Sequence, residues 1–441
     1  MTSAPPAVGR LRAPRAPALT EQELTGGLHA IAVRRPGVPL AQVRLVFPIP
    51  GRDMSRPAAS LVLSESILAG TEEHDREGLA AAVERLGGTL TATVAGDRLV
   101  LSASALSHRL GELIALVGEV LTSATYPAAE VKADRARTSD RVILMLSRPE
   151  VLADEALAKR LFGKHPYGAP VARPDALLRV GAPVLRRLHH SLLQAKSAHL
   201  VLVGDIQPKK ALAVAEAGLG AWLETPAPGV PPLRPVPVPE PGPLLLVNRA
   251  GSVQSNLRLG GTAPRRASAD WPATLIANEI LGGMFTSRIV ENLRERNGYT
   301  YSPRSTISHG RAGSTLTIAA EVSTEVTAAA LVETRYELGR IATTGVTEDE
   351  VEAACRYAVG SFLVRTATQA GLASTLATLA VEGTGPDYLS GHPARIARTT
   401  KAEVDEAARR YLSPAAMVTV VVGDAEGVGR SLSVVDAVNT E

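Results

Sequence analysis

One apolar, helix-forming run carries three polar residues at its centre. The run LVLSESILAG spans residues 61–70, and Ser64, Glu65 and Ser66 interrupt it. A helix whose other side chains are apolar gains little from a carboxylate between two serines, because a buried charge needs a partner. The run is therefore a candidate for a functional site, either present or lost.

The histidines and the cysteine do not assemble a second candidate. His74 lies in the polar segment TEEHDREG and has no histidine at helical spacing. His189 and His190 are adjacent, so on a helix they face different sides. Cys355 is the only cysteine and lies in the apolar run VEAACRYAVG, which predicts a small buried side chain rather than a reactive thiol. We predict no metal site in this chain.

Composition excludes several classes of function. The chain has 441 residues, 45% of them apolar and 21% charged, as in soluble globular proteins. A net charge of +3, no Lys/Arg block and 3% aromatics argue against nucleic-acid binding. The N-terminal residues lack the apolar core of a secretory signal, and no run of about twenty apolar residues could span a membrane. We expect a cytoplasmic protein with a flexible N-terminal arm over residues 1–23.

The chain divides into two halves that resemble each other. Residues 223–243, LETPAPGVPPLRPVPVPEPGP, are proline-rich and typical of an extended spacer. Each half ends in a helix, a turn, an apolar strand and Gly-Asp, at 204–205 and 423–424. ESILAG in the first half is echoed by EILGG in the second, and VERLGGTLTATV by LRERNGYTYSPR. A period this long indicates a domain duplication rather than a solenoid.

The order of elements is also the same in both halves. Apolar strand pairs open each half, and a helix ending at glycine follows, at Gly87-Gly88 or Gly298. Further strands, long helices and the final apolar strand complete each half. We predict an α+β fold of two duplicated domains, each an antiparallel-rich mixed β-sheet covered on one face by helices. The predicted bounds are 24–225 and 244–441, with a Pro-rich linker at 226–243.

These motifs, in this order, resemble the pitrilysin/insulinase family of zinc peptidases, the inverzincins, whose metal motif is H-x-x-E-H. The matching segments cover nearly the whole chain after the arm: ILAGTEEHDREGLAAAVERLGGTLTATV, KHPYGAPV, HLVLVGDI, ANEILGGMFTSRIVENLRERNGYTYS and VTVVVGDA. The length is similar to that of the small bacterial and mitochondrial-processing-peptidase-like members, which pair two such chains. His165 lies in KHPYG, a family loop for which we expect a structural role.

The resemblance implies that this chain has lost its zinc site. In active members the metal motif precedes an apolar pair and Gly-Thr, which here is residues 70–71. The two zinc histidines would then fall at Leu61 and Glu65, and the catalytic glutamate at Ser64. Two imidazoles at i and i+4 hold zinc, and the glutamate activates the bound water. Leucine cannot coordinate a metal, so we expect Glu65 to be exposed or paired.

The family's third zinc ligand is a glutamate on a later helix. The corresponding region here, EVKADRARTSDRVILML, places Asp140 or Arg141 near that slot, and the register leaves both open. The resemblance therefore implies no cofactor in this chain and zinc in a partner subunit.

The second half keeps residues that the family uses on its substrate. An Arg-Tyr pair, seven residues apart in this motif, binds the substrate backbone and stabilises the oxyanion in the metal-bearing half. Arg294 and Tyr301 match that spacing. We expect the helix capped by Thr286 or Ser287 to end at Gly298, with YTYS starting a strand. On a strand Tyr299 would share the face of Tyr301, so its role stays open.

Two other observations bear on this segment. Without the resemblance, an arginine in a last turn is explained by the helix dipole and a tyrosine by strand propensity.

Gly282 and Gly283 lie where the non-catalytic subunit of processing peptidases carries a glycine-rich substrate loop, which implies a substrate-binding role for them.

The leading prediction is a metal-free subunit of a heterodimeric zinc peptidase. It would supply Arg294 and Tyr301 to a partner of the same fold with an intact H-x-x-E-H, and the peptide substrate would add as a β-strand. The alternative is a purely structural member, like the core subunits of respiratory complex III. Nucleic-acid binding is a distant third.

Overall fold

The computed structural model describes residues 17–441, and its two halves share one strand topology. Strands of the first half are β1 Leu19–Leu24, β2 Leu28–Arg34, β3 Leu40–Pro48, β4 Thr89–Ala95, β5 Arg98–Leu106 and β6 His199–Gly204. Strands of the second half are β7 Leu244–Asn248, β8 Gln254–Ala263, β9 Arg304–His309, β10 Ser314–Ser323, β11 Val418–Gly423 and β12 Val438–Thr440. Each set forms one six-stranded sheet.

The strand orders of the two sheets match at five positions. The first sheet runs β1-β2-β6-β3-β5-β4 and the second β12-β7-β11-β8-β10-β9. In both sheets one inner pair is parallel, β2 with β6 and β7 with β11, and the next three pairs are antiparallel. The sixth strand differs, because β1 joins its sheet antiparallel and β12 joins parallel. The predicted antiparallel-rich mixed sheets and the duplicated α+β fold are confirmed.

Helices connect the strands in the same order in both halves. The first half contains α1 Gly51–Met54, α2 Pro57–Ser66, α3 Arg76–Arg85, α4 Leu110–Ser123, α5 Ala128–Leu146, α6 Pro149–Phe162, α7 Pro174–Leu178, α8 Ala182–Leu192 and α9 Pro208–Leu223. The second contains α10 Trp271–Asn278, α11 Arg288–Val290, α12 Thr327–Thr343, α13 Glu348–Arg365, α14 Gln369–Val381, α15 Tyr388–Ile396, α16 Lys401–Tyr411 and α17 Ala425–Val435. Two π-helical segments, Glu279–Gly283 and Glu291–Arg296, follow α10 and α11.

Each central sheet is covered on both faces, not on one as predicted. Ala30 and Ala32 of β2 face the helices of their own half, whereas Ile31 and Val33 belong to a cluster with α14 of the other half. Conversely, α6 of the first half packs on β8 and β11 of the second. A strand buried on both faces has a continuous apolar run, and AIAV at residues 30–33 is such a run. The sequence of β2 therefore indicates that both of its faces are buried.

A polar latch also joins the halves. Asp97, only 3% exposed in the β4–β5 turn, accepts hydrogen bonds from the Tyr167 hydroxyl at 2.6 Å and the Arg311 backbone N–H at 2.7 Å. The Ala312 N–H donates to the same tyrosine oxygen at 3.0 Å. Tyr167 belongs to the KHPYG segment, and His165 beside it accepts from the Tyr167 N–H. That segment therefore has a structural role at the junction of the halves.

The domain bounds need one correction. β1 begins at Leu19, so residues 19–23 of the predicted arm are a strand paired with β2. Residues 1–16 of that arm lie outside the described residues. No helix or strand is assigned between Leu223 and Leu244, and the remaining domain bounds stay predictions. In the described part of the chain, no helix has both the length and the apolarity to cross a membrane.

Candidate functional site

The polar residues of the opening run on α2 all have partners within the first half. The Ser64 hydroxyl donates to the Leu61 carbonyl at 2.8 Å, inside the helix. The Glu65 carboxylate forms an ion pair with Arg141 on α5, with Oε1 2.7 Å from Nη2. Leu61 is half-buried against the first core. Glu65 is therefore paired, which is one of the two states expected from the sequence.

Arg141 is the residue of α5 that pairs with Glu65, and the residue that matches the third zinc ligand stays a prediction. Its neighbour Asp140 is exposed. A guanidinium beside the second ligand slot contributes a positive charge where the family has a cation, and it donates rather than accepts. Across residues 17–441 no group of three His, Cys, Asp or Glu side chains is arranged to hold a metal. The donor set of the slots, leucine, serine, glutamate and arginine, does not fit zinc.

A buried carboxylate that the sequence analysis missed stabilises this region. Asp134 on α5 is 3% exposed and accepts from the Ser66 hydroxyl at 2.8 Å and from Arg76 at 2.8 Å. Arg137, one turn along the helix, also donates to it. Asp134 stands seven residues before Arg141, so the two lie on one face of α5. That spacing was the available signal, and it explains why Ser66 is present in an apolar helix.

The second half brings Arg294 and Tyr301 together at the surface. The Arg294 guanidinium carbon lies 4.8 Å from the centroid of the Tyr301 ring and 4.9 Å from that of Phe285. Such cation–π contacts fix the guanidinium between two aromatic faces. Its Nε also lies 3.2 Å from the Glu295 carboxylate. Tyr301 is 80% exposed and Phe285 69% exposed, so the cluster of these three side chains is open to a binding partner.

The local structure around the pair differs from the prediction in two respects. The helix is α-helical only over α11 and π-helical over Glu291–Arg296, and its predicted cap Ser287 makes no side-chain capping bond. Residues 299–302 are not a strand, since β9 begins at Arg304. Tyr299 therefore does not share a face with Tyr301: it is half-buried against the second core. Wider π turns are frequent at functional sites, because they redirect side chains.

The repeat shows that the pair exists in one half only. Gly87 and Gly298 both adopt left-handed φ, 63° and 64°, at corresponding helix ends. Counting from these glycines places Val83 and Leu90 of the first half where the second has Arg294 and Tyr301. The same turn therefore carries apolar residues in one half and a cation with a phenol in the other.

Packing alone requires small residues at Gly282 and Gly283. A Cβ on Gly282 would lie 2.4 Å from the Ile289 side chain and 2.7 Å from the Ser305 backbone nitrogen. A Cβ on Gly283 would lie 2.4 Å from the Glu279 carboxylate. Gly282 is buried, and the absence of a side chain at Gly283 leaves room for the Glu279 carboxylate. Their predicted substrate-binding role stays a prediction.

Comparisons with known proteins agree on one family. Residues 60–175 match the model described as Insulinase (Peptidase family M16), and residues 179–357 match the Peptidase M16 inactive domain. An uncharacterized zinc protease of Mycobacterium leprae is 24% identical over 355 residues, which are 79% of this chain and 78% of that protein. One of Mycobacterium tuberculosis is 25% identical over 342 residues, 77% of each chain.

Two solved structures share the fold. A peptidase M16 inactive domain from Pseudomonas fluorescens superposes with a TM-score of 0.83 at 23% identity, covering 92% of this chain and 98% of that one. A protease from Helicobacter pylori gives 0.84 at 17% identity, covering 93% and 100%. Both neighbours are similar along their whole length, so the two-halved architecture is common to all three.

Proposed function

Because the chain belongs to the insulinase family of peptidases, peptidase family M16, we propose that it is the metal-free subunit of a two-chain zinc peptidase. A same-fold partner carries the intact H-x-x-E-H, and this chain supplies Arg294 and Tyr301 to the partner's active site. The contrast between the two candidate positions carries the proposal. Two of the positions that correspond to the family's metal slots form an ion pair, whereas Tyr301 of the Arg-Tyr pair is exposed.

The geometry of the pair suits substrate binding. An arginine fixed between two rings loses little side-chain freedom when it binds a peptide carbonyl, so its hydrogen bonds cost less entropy. In the described residues the Tyr301 hydroxyl donates to no other protein group, and it is free to donate to a ligand. Two such donors on one exposed surface can hold a carbonyl oxygen before and during attack by water.

In the proposed mechanism, the partner's H-x-x-E-H would hold a zinc ion, which would supply the activation of the attacking water. Arg294 donates to the carbonyl of the bound peptide and orients it. As the carbonyl becomes tetrahedral, negative charge develops on its oxygen, and the Tyr301 hydroxyl donates to that oxyanion. A preorganised donor of this kind typically contributes about 10² to 10³ in kcat.

The structural alternative predicts that the same two residues only pack. It is favoured by the local partners of Arg294, which are Glu295 and two aromatic rings. An exposed tyrosine contributes little packing energy, however, and 80% exposure of Tyr301 argues against a purely structural role.

Mixing the two subunits tests the proposal. A same-fold chain with H-x-x-E-H, taken from the same organism, is assayed on a peptide library alone and with this chain. We expect cleavage only in the mixture, with a complex visible by size-exclusion chromatography. Equal cleavage with and without this chain would exclude the two-chain model. The cytoplasmic location is retained as part of this proposal.

A further inference from the structure

A cavity of about 560 Å³ lies in the second half, between the segment Glu279–Gly283, β9, α13, α14 and α15. Its apolar wall includes Trp271, Phe362 and Leu275. It is separate from the cluster of Phe285, Arg294 and Tyr301, none of which lines it. The dimensions suit a small ligand rather than a folded partner.

The repeat gives this cavity a counterpart in the first half. In the strand and helix order, α13 corresponds to α5, and the segment Glu279–Gly283 corresponds to the end of α2. In the first half these two elements meet through the Glu65–Arg141 ion pair. In the second half the corresponding elements instead border the cavity. The cavity thus occupies the position of the family's metal site in the other repeat.

Four buried polar atoms of the cavity lining have no protein partner. They are Asn278 Oδ1, Glu279 Oε2, His309 Nε2 and His392 Nδ1. Asn278 and His392 are each 4% exposed. Buried polar atoms are nearly always hydrogen-bonded, so four unpaired atoms around one cavity indicate a ligand that supplies the partners.

All four atoms can accept hydrogen bonds. Burial lowers the pKa of both His309 and His392 to about 3, so both imidazoles are neutral at physiological pH. His309 Nδ1 lies 2.7 Å from the Ser314 hydroxyl, and when Nδ1–H donates there, Nε2 is left to accept. Asn278 and Glu279 contribute an amide oxygen and a carboxylate oxygen. A complementary ligand must therefore present several N–H donors.

The charged residues of the lining restrict the chemistry of the ligand further. Burial raises the pKa of Glu279 to about 7, against the opposing influence of Arg365, so an ammonium beside it would stabilise the ionised form. Arg365 also lines the cavity and is exposed, with no ion-pair partner in the described residues. Arg266, the other lining arginine, is bound to Glu382 at 2.8 Å. The free guanidinium is thus available to a carboxylate.

We propose that this cavity binds the α-ammonium of a free amino acid or short peptide with an apolar side chain. The ammonium donates to Glu279 and Asn278, the side chain packs on Trp271 and Phe362, and the carboxylate faces Arg365. This goes beyond the proposed function, since neither Arg294 nor the partner subunit takes part. A zwitterion combines N–H donors for Glu279 and Asn278, an apolar side chain for the wall and a carboxylate for the guanidinium.

Titration calorimetry on the full chain, without any partner, tests the proposal. The probes are L-leucine, leucyl-leucine, leucinamide and N-acetyl-L-leucine. We expect the free amines to bind and N-acetyl-L-leucine not to bind, because acetylation removes the charge and two donors. Whether leucine or leucyl-leucine binds more tightly identifies an amino acid or a peptide as the source of the ammonium.

Three variants locate the site. Glu279→Gln should weaken leucine by about tenfold or more, since it removes the charge of a charge-assisted bond. Glu65→Gln, at the corresponding helix end of the first half, should leave binding unchanged. Arg365→Ala, an exposed substitution that should not disturb folding, should abolish the preference for leucine over leucinamide. Circular dichroism confirms that each variant is folded.

Three results would overturn the proposal. They are the absence of binding by every free amine at millimolar concentration, equal binding of N-acetyl-L-leucine, or undiminished binding by a folded Glu279→Gln variant. None of these results depends on peptide cleavage, so failure here leaves the two-chain proposal untouched.

Discussion

The two halves place the same pair of helices at the same point of the fold and use it differently. In the first half, the Glu65–Arg141 ion pair joins the end of α2 to the helix α5. Beside it, the Asp134 carboxylate accepts hydrogen bonds from Ser66, Arg76 and Arg137. In the second half, the equivalent elements leave a cavity with unpaired polar atoms. In a duplicated fold, an ion pair can thus fill one position while the corresponding position in the other half stays an open cavity.

The helix ends that follow show the opposite contrast. Val83 and Leu90 are apolar where half-buried Arg294 and exposed Tyr301 form a cation–π pair. The residues on which the proposed function depends therefore lie in the second half alone.

The largest effect is expected from building the family's zinc site into the first half, where Glu65 and Arg141 now pair. Leu61→His, Ser64→Glu, Glu65→His and Arg141→Glu together restore two imidazoles at i and i+4, a base and a distal carboxylate. We expect the wild type to hold no stoichiometric zinc and the fourfold variant to hold one zinc per chain, because three ligands then converge. Metal analysis after dialysis measures both. One tightly held zinc in the wild type would refute the account of the first half.

The next effect concerns the latch that holds the halves together. Asp97→Ala leaves the Tyr167 hydroxyl and the Arg311 N–H without their acceptor. The free energy of unfolding should fall by about 3 kcal/mol, as for other buried charge-assisted bonds. Urea unfolding measures it, with Asp97→Asn as a control that keeps one acceptor oxygen. Unchanged stability would show that packing of α6 and α14 alone joins the halves.

A smaller effect, on the pH dependence of stability, distinguishes Glu279 from Glu65. Burial raises the folded-state pKa of Glu279 to about 7, above its unfolded value, with Arg365 opposing and neutral His309 and His392 on the other walls. The folded state therefore holds a proton that the unfolded state releases, and wild-type stability falls between pH 4.5 and pH 7. Because glutamine does not ionise, the Glu279→Gln variant should not lose stability over this pH range.

We therefore expect Glu279→Gln to be more stable than the wild type by about 2 kcal/mol at pH 8 and little different at pH 4.5. Thermal unfolding at the two pH values measures the difference. Glu65→Gln is the matched control, because its carboxylate is paired with Arg141 and should show no such gain. A gain in the control and none in Glu279→Gln would reverse the assignment of open and closed positions.

Several features followed from sequence because they are local or repeated. The duplication and the two mixed sheets rest on patterns within short segments. The apolar run AIAV in β2 also indicated that both faces of this strand are buried, yet the prediction covered only one. Period-2 alternation is the pattern of a half-buried strand, and its absence was the signal.

Other features depend on distant contacts that no short pattern contains. The Glu65–Arg141 pair, the latch at Asp97 and the cavity around Asn278 join residues far apart in sequence. The π turns were missed because their residues favour an α-helix equally well. Tyr299 and Tyr301 differ for the same reason, since one is held by the second core and the other is not.

The most direct test of the central claim is the steady-state kinetics of Tyr301→Phe in the assembled two-subunit complex. The substitution removes one hydroxyl and keeps the exposed ring on Arg294, so assembly should persist. The account predicts a fall in kcat of about 10² to 10³ with a smaller change in KM, because the bond strengthens in the transition state. Tyr299→Phe, half-buried against the second core, should retain wild-type kcat. An assembled Tyr301→Phe complex with wild-type kcat would contradict the account and favour a purely structural subunit.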